Sequence, residues 1–271
     1  MRGAHTAGAL VALSRHPGIH FDVICASSAG ACTAAFWVAE QHDRYERIWG
    51  NYLHDDRLIR YRHLITSGPV MNLPYLIYEV FVKHEPLDTA KILASPIDFF
   101  ITATHCHTGN AHYFHNKQGI DVLNALHAGA AMPFAHPLPV WYGGEPYADG
   151  GIADSIPLNK AIAEGCEEFV IVLTRPEGYR KEKPGLLPWP RWLFRRYPGL
   201  ADCLLKRHQL YNEQLEQVRA LEKSGKALVI RPSADLKISR LTRRRGKILQ
   251  AIEQGKRDTR KALIDPSSQI P

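Results

Sequence analysis

The sequence predicts a layered α/β fold with a mostly parallel sheet, followed by a basic, mainly helical stretch. Three observations carry this. Short β-rich runs alternate with helical stretches through the first 174 residues, the pattern of helices layered on a parallel sheet. Residues 169–174, Phe-Val-Ile-Val-Leu-Thr, form a continuous apolar run of the kind that becomes a fully buried strand. After Thr174 the texture changes to prolines, glycines and arginines.

Taken in order, Thr6–Ser14 is apolar with small residues at its start and predicts a short helix. Residues 21–26, Phe-Asp-Val-Ile-Cys-Ala, predict a strand, and the Ala-rich stretch 28–40 a helix. Residues 43–53 continue helical. Residues 63–83 are rich in Leu, Ile, Tyr, Val and Phe, but Ser67-Gly68-Pro69 and Pro74 break them, so this region is expected to be irregular. Residues 97–105 and 111–115 flank the turn Thr108-Gly109-Asn110 and predict a hairpin. A helix over 121–130 is closed off by Pro133, a second covers 160–164, and the strand 169–174 follows. Residues 175–200 hold five prolines and are expected to be a linker or surface excursion. Helices over 204–223 and 240–263, with a strand at 227–231, complete the chain. The expected division is a domain at 1–174 and an extension at 175–271.

Composition narrows the function. With 271 residues, 45% hydrophobic and 23% charged, the chain has ordinary globular composition. Its five cysteines (25, 32, 106, 166 and 203) are scattered and show no CxxC spacing, which argues against a disulfide framework or a zinc ribbon and for a reducing compartment. Met1–Arg15 lacks the basic start and apolar core of a secretory leader. The weakly polar run 23–39 is too short to span a bilayer. The expected location is the cytoplasm, with peripheral contact at the inner face of the membrane.

The net charge of +7 is asymmetric. Residues 1–174 carry 11 Lys and Arg against 17 Asp and Glu, a net of −6; residues 175–271 carry 23 against 10, a net of +13. Such a stretch suits a polyanionic partner, nucleic acid or an anionic membrane surface. It equally suits a solvated basic helix face.

The sharpest motif is Ala26-Ser27-Ser28-Ala29-Gly30, between a predicted strand and a predicted helix. A tight strand-to-helix turn with small flanking residues exposes a serine hydroxyl, and the N–H groups opening the helix favour developing negative charge. The same residues would also serve as an ordinary serine N-cap. A serine nucleophile needs a base, and Asp149-Gly150-Gly151 offers a carboxylate in what is otherwise a common turn signal.

Four segments occur in order: Arg2-Gly3-Ala4-His5-Thr6-Ala7-Gly8, Ala26–Gly30, Ala128-Gly129-Ala130-Ala131-Met132-Pro133 and Asp149-Gly150-Gly151. Together they resemble the patatin-like phospholipase family, in particular bacterial patatin-like esterases with a basic C-terminal extension. The resemblance covers residues 1–175 most strongly. It implies a three-layer α/β/α sandwich and hydrolysis of lipid acyl esters by a Ser–Asp dyad, with Ser28 as nucleophile and Asp149 as proton acceptor. Gly3, Ala29 and Gly30 would support the elbow and oxyanion, within motifs that also include Ala26, Ser27, Gly150 and Gly151. The family opens with a strand and a Gly-Gly-Gly-x-Arg-Gly turn that holds the oxyanion. Met1-Arg2-Gly3 matches only the tail of that turn, so the resemblance also implies an N-terminally truncated form with a weakened oxyanion hole.

Other candidates are weaker. His105, His107, His112 and His115 fall in the predicted hairpin without a standard zinc spacing, so no metal is expected, and no cofactor. His208 could extend the dyad to a triad, but it lies within a predicted helix. Cys25 and Cys32 flank the elbow as small hydrophobes. The apolar stretch 70–82 suits a lid over an acyl pocket, and the Trp/Arg mixture of 184–200 suits a lipid headgroup interface. The expected partner is a lipid or fatty-acyl ester, with peripheral contact to anionic membrane; nucleic acid and an obligate protein partner are not expected. The competing reading is a non-enzymatic protein that binds anionic surfaces or nucleic acid through Arg240–Lys247, although no recognised nucleic-acid motif accompanies that charge.

Overall fold

The computed structural model describes residues 1–66, 68–137, 139–183 and 189–264, and only the backbone of residues 189 and 190. Helix α1 (Gly3–Leu13) precedes strand β1 (Val23–Ser27), and α2 (Ala29–Val38) follows β1 after a one-residue turn at Ser28. A short α3 (Arg44–Arg47) runs into a wider π-helical turn at Ile48–Tyr52. The Pro-broken region is more regular than expected. Pro74 opens a ten-residue π-helix, Tyr75–His84, because its missing N–H lies where a helix start has no intrahelical acceptor. That helix buries Tyr75, Leu76, Ile77, Val80 and Phe81, so most of the stretch proposed as a lid is built into the core.

Helix α4 (Thr89–Ala94) leads to β2 (Asp98–His105) and β3 (Ala111–His115), which pair as the expected antiparallel hairpin. Helix α5 (Val122–Ala130) is capped by Asp121, whose side chain accepts from the Asn124 amide. Two strands then appear that sequence patterning missed, β4 (Val140–Tyr142) and β5 (Glu145–Asp149). They are short, and Pro146 lies inside β5, so neither shows a strand signal on its own. Next come α6 (Leu158–Ala163), β6 (Phe169–Val172), α7 (Trp189–Leu193), the 26-residue α8 (Pro198–Lys223), β7 (Ala227–Ile230) and α9 (Arg245–Ile264).

The sheet is mixed. Strand β1 runs parallel to β2, β6 runs parallel to β7, and β3, β4 and β5 pair antiparallel. The period-2 alternation of β6 and β7 separates two cores. Val170 and Val172, with Leu228 and Ile230, face the core shared with α1, α2, α5 and α9. Ile171 and Val229 face a second core with α6 and α8, through Leu158, Leu215 and Val218. Helices on both faces of the strands give the three-layer α/β/α arrangement. Strand β6 is only half-buried at Phe169, Val170 and Val172, short of the full burial its apolar run suggested. Among the described residues it pairs only with β7, and Phe169, Val170, Ile171 and Val172 line a cavity.

Helix α9 docks on α1 by direct backbone approach. A methyl group added at Gly8 would overlap the Ile252 carbonyl oxygen, and one added at Gly255 would overlap that of His5. His5 Nε2 lies 3.1 Å from Asp258 Oδ2 across the same crossing. Of the Trp/Arg stretch, residues 184–188 lie outside the described residues. In α7, Trp192 and Leu193 are exposed. No helix among the described residues is long and apolar enough to cross a membrane.

Candidate active site

Strand pairing brings the two halves of the site together. On β2, residues 100–102 pair with β1 and with β3, while 103 and 104 pair with β3 and with β5. Strands β1 and β5 therefore share the edge of β2 opposite β3. Strand β1 ends at Ser27 opposite Thr102, and antiparallel β5 ends at Asp149 opposite Ala103. The two chain ends meet head-on at adjacent register positions.

Ser28 occupies that meeting point with φ 56° and ψ −131°, a conformation that costs a non-glycine residue about 1–3 kcal/mol. It is the N-cap residue of α2, yet its side chain caps nothing. The hydroxyl instead donates to Asp149 Oδ2 at 2.5 Å. The neighbouring Ser27 hydroxyl is buried and has no hydrogen-bond partner among the described residues. The Ala31 and Cys32 amides donate back to the Ser28 carbonyl, whereas the Ala29 and Gly30 amides have no acceptor among the described residues. These are the orphan N–H groups that open any helix, here beside a serine hydroxyl. Gly3 lies against the same turn: a Cβ there would stand 3.1 Å from the Ala29 methyl and crowd the Trp49 ring.

Asp149 is 1% exposed and held on every side. Its Oδ1 accepts the Gly151 amide at 2.8 Å, its carbonyl accepts Thr104 Oγ1 at 2.8 Å, and its own amide donates to Ala131 at 2.9 Å. The Gly150 amide donates to Gly129, and a Cβ on Gly150 would overlap the Thr102 carbonyl. Segment 128–133 thus anchors the Asp–Gly–Gly turn through its carbonyls. Burial raises the Asp149 pKa above its ordinary value; the Ser28 hydroxyl, the Arg207 charge and the Gly151 amide oppose that shift.

Arg207, on α8, was not singled out from the sequence. Its Nε donates to the Gly151 carbonyl at 2.5 Å. Its neighbour His208, the candidate third member of a triad, bonds the Leu205 carbonyl of its own helix. A signal was present. The inward face of α8 recurs at Leu200, Leu204, Arg207, Tyr211, Leu215 and Val218, and Arg207 stands where that pattern calls for an apolar residue.

The hairpin histidines make other contacts, while Cys25 and Cys32 line the same cavity as Ser28 and Asp149. His105 bonds Glu145, His115 bonds Asp98, and no cluster of three or more metal-ligating side chains occurs among the described residues. Cys25 and Cys32 are pushed up to about 12 by burial, so both stay protonated thiols. A cavity of about 1100 Å³ includes Ser28 and Asp149 in its lining, together with apolar side chains such as Phe36, Trp49, Leu53, Leu76 and Phe81.

Residues 1–162 match the family model described as patatin-like phospholipase, and residues 197–266 match a domain of unknown function (DUF6363). The chain is also similar to the uncharacterized protein YjjU of Escherichia coli (strain K12), at 27% identity over 209 residues. That match covers 76% of this chain and 56% of the relative, so the chain spans little more than half of that protein's length.

Proposed function

This chain belongs to the patatin-like phospholipase family, and from that premise we propose that it hydrolyses fatty-acyl esters of lipids with Ser28 as nucleophile and Asp149 as its base. The observation that carries the reading is the Ser28 Oγ to Asp149 Oδ2 hydrogen bond, made by a serine whose backbone is strained and whose hydroxyl forgoes the cap. The Ser28 oxygen attacks the acyl carbonyl carbon while Asp149 takes its proton. The carbonyl oxygen, now negative, sits against the free Ala29 and Gly30 amides, with the α1 start at Gly3 beside them. Asp149 returns the proton to the leaving alcohol as the tetrahedral intermediate collapses to an acyl-enzyme. Water then attacks the acyl carbon with Asp149 again as base, releasing the fatty acid and restoring the serine. The acyl chain lies against apolar side chains that line the cavity, Phe36, Trp49, Leu53, Leu76 and Phe81 among them.

A fluorophosphonate probe tests the assignment. The expected result is covalent labelling of the parent at Ser28, no labelling of Ser28→Ala, and loss of p-nitrophenyl butyrate hydrolysis in that variant. Labelling elsewhere, or full turnover by Ser28→Ala, overturns it. A protein that only binds polyanions would not label.

A further inference from the structure

The turn that carries Asp149 has little of its own to keep its shape. Gly150 and Gly151 follow the carboxylate, and glycine leaves the backbone the most freedom to lose on folding. The shape is held by hydrogen bonds instead. The Asp154 amide closes the turn onto the Gly150 carbonyl at 2.8 Å. The Gly151 carbonyl accepts two donors, Ser155 Oγ at 2.6 Å and Arg207 Nε at 2.5 Å. The Ala153 amide donates to Thr104 Oγ1, the hydroxyl that itself donates to the Asp149 carbonyl.

Asp154, five residues after the base, is 6% exposed. No ion pair among the described residues includes it. Hydrogen bonds alone meet its carboxylate. Oδ2 accepts the Tyr113 hydroxyl from β3 at 2.7 Å, and Oδ1 accepts Gln214 Nε2 from α8. Gln214 uses its other end as well, its Oε1 accepting the Ile156 amide at 3.2 Å. Burial raises the Asp154 pKa, and the Tyr113 and Gln214 hydrogen bonds oppose that shift. A buried polar network satisfied in this way fixes one geometry, here between sheet, turn and helix.

Arg207 and Gln214 stand seven residues apart, two turns of α8, and so project from one face of the helix. Both reach the same turn, Arg207 at Gly151 and Gln214 at Asp154 and Ile156. These contacts join the two matched segments of the chain. The turn and Tyr113 fall within residues 1–162, and α8 within residues 197–266, the domain of unknown function.

We propose that Gln214 is a positioning residue, and that α8 serves the hydrolase domain by holding the Asp149 turn in register with Ser28 through Arg207 and Gln214. This rests on the hydrolase reading above and names what keeps its base in place. Ser28 and Asp149 meet through one hydrogen bond, and a misplacement of about 1 Å in such a pair can cost about 10²-fold in rate. Gln214 acts through Asp154 and the Ile156 amide, without touching either reacting side chain.

Labelling of the full chain by a fluorophosphonate probe, well below each variant's melting temperature and at mildly alkaline pH, tests this. Gln214→Glu sets a second carboxylate against Asp154. Gln214→Met removes both hydrogen bonds at similar length and adds no charge. Each is expected to slow labelling of Ser28 by about tenfold or more. Each should also speed amide hydrogen exchange across residues 149–156 while leaving exchange at the α1–α9 crossing unchanged. Gln214→Glu combined with Asp154→Asn reverses the pair: the new amide donates to the new carboxylate and still accepts from Tyr113, and the Ile156 amide keeps an acceptor. That double variant should return both labelling and exchange to near the parent's. A merely structural role would lower the melting temperature and leave labelling of the folded protein at the parental rate. Parental labelling in both single variants, or a loss that the reversed pair does not restore, overturns the role of Gln214. A parent unlabelled at Ser28 overturns the hydrolase reading and this role with it, so the parent alone tells the two failures apart.

Discussion

Arg207 reaches from the middle of α8 to donate its Nε hydrogen to the Gly151 carbonyl, two residues beyond the carboxylate bonded to Ser28. It supports the Asp–Gly–Gly turn from below and places a positive charge near Asp149. Arg207→Gln is expected to lower kcat on a neutral ester by tenfold or more and to move the acid limb of the pH profile upward. A merely structural loss would lower activity without moving that limb. Arg207→Lys, which keeps the charge but not the planar donor, should restore the limb position better than the rate.

The pH dependence follows from Asp149. Its pKa is raised by burial, and the base works only when ionised. Activity should therefore fall as pH drops through a value above the ordinary carboxylate value of 3.8. The sign for stability is opposite. A carboxyl whose folded pKa is raised holds its proton more tightly folded than unfolded, so its contribution to stability rises on acidification. A kcat/KM profile beside a melting profile should show activity failing before the fold does. Asp149→Asn should cost about 10²- to 10⁴-fold in kcat.

Strain at the elbow separates function from stability. Ser28→Gly and Ser28→Ala both remove the nucleophile and leave Asp149 without its hydroxyl donor. Only glycine relaxes the backbone at φ 56°, so Ser28→Gly should be more stable than Ser28→Ala by about 1–3 kcal/mol. Urea denaturation of the two inactive variants reads this directly.

The α1–α9 crossing makes a fourth test. Gly8→Ala or Gly255→Ala forces apart two helices whose backbones touch, and each should cost about 1–3 kcal/mol. Because both substitutions separate the same pair, the double variant should lose less than the sum. Denaturant midpoints of the two single variants and the double variant supply the comparison.

The charge of the C-terminal stretch and the exposed indole of Trp192 lead to a vesicle experiment. Co-sedimentation with phosphatidylglycerol vesicles should fall between low and high salt, as screening shortens the reach of surface charge to about 8 Å at physiological ionic strength. Trp192→Ala should weaken what remains at high salt. Equal binding to neutral vesicles would remove the electrostatic part.

The sequence alone determined what short-range chemistry determines. The strand before Ser28 and the helix after it, the hairpin around Gly109 and the long helix α8 all follow from periodicity and turn residues within a few positions of one another. Ser28 and Asp149 stood out because small residues flank them in sequence, Ala26, Ser27, Ala29 and Gly30 around the one and Gly150-Gly151 after the other, although the lack of room for a Cβ at Gly150 comes from Thr102 on β2. Tertiary structure decided the rest. Strand β5 contains Pro146 and so does not announce itself, and exists because β2 and β4 pair with it. That Ser28 meets Asp149 at all depends on β1 and β5 ending at adjacent positions of a third strand, a register no local pattern encodes. Arg2, Arg175, Lys181, Arg207 and Arg240 are separated by up to 238 positions in the chain, and only folding brings them into one cavity. Local sequence fixes the shape of each element, while long-range pairing and packing decide which side chains face one another.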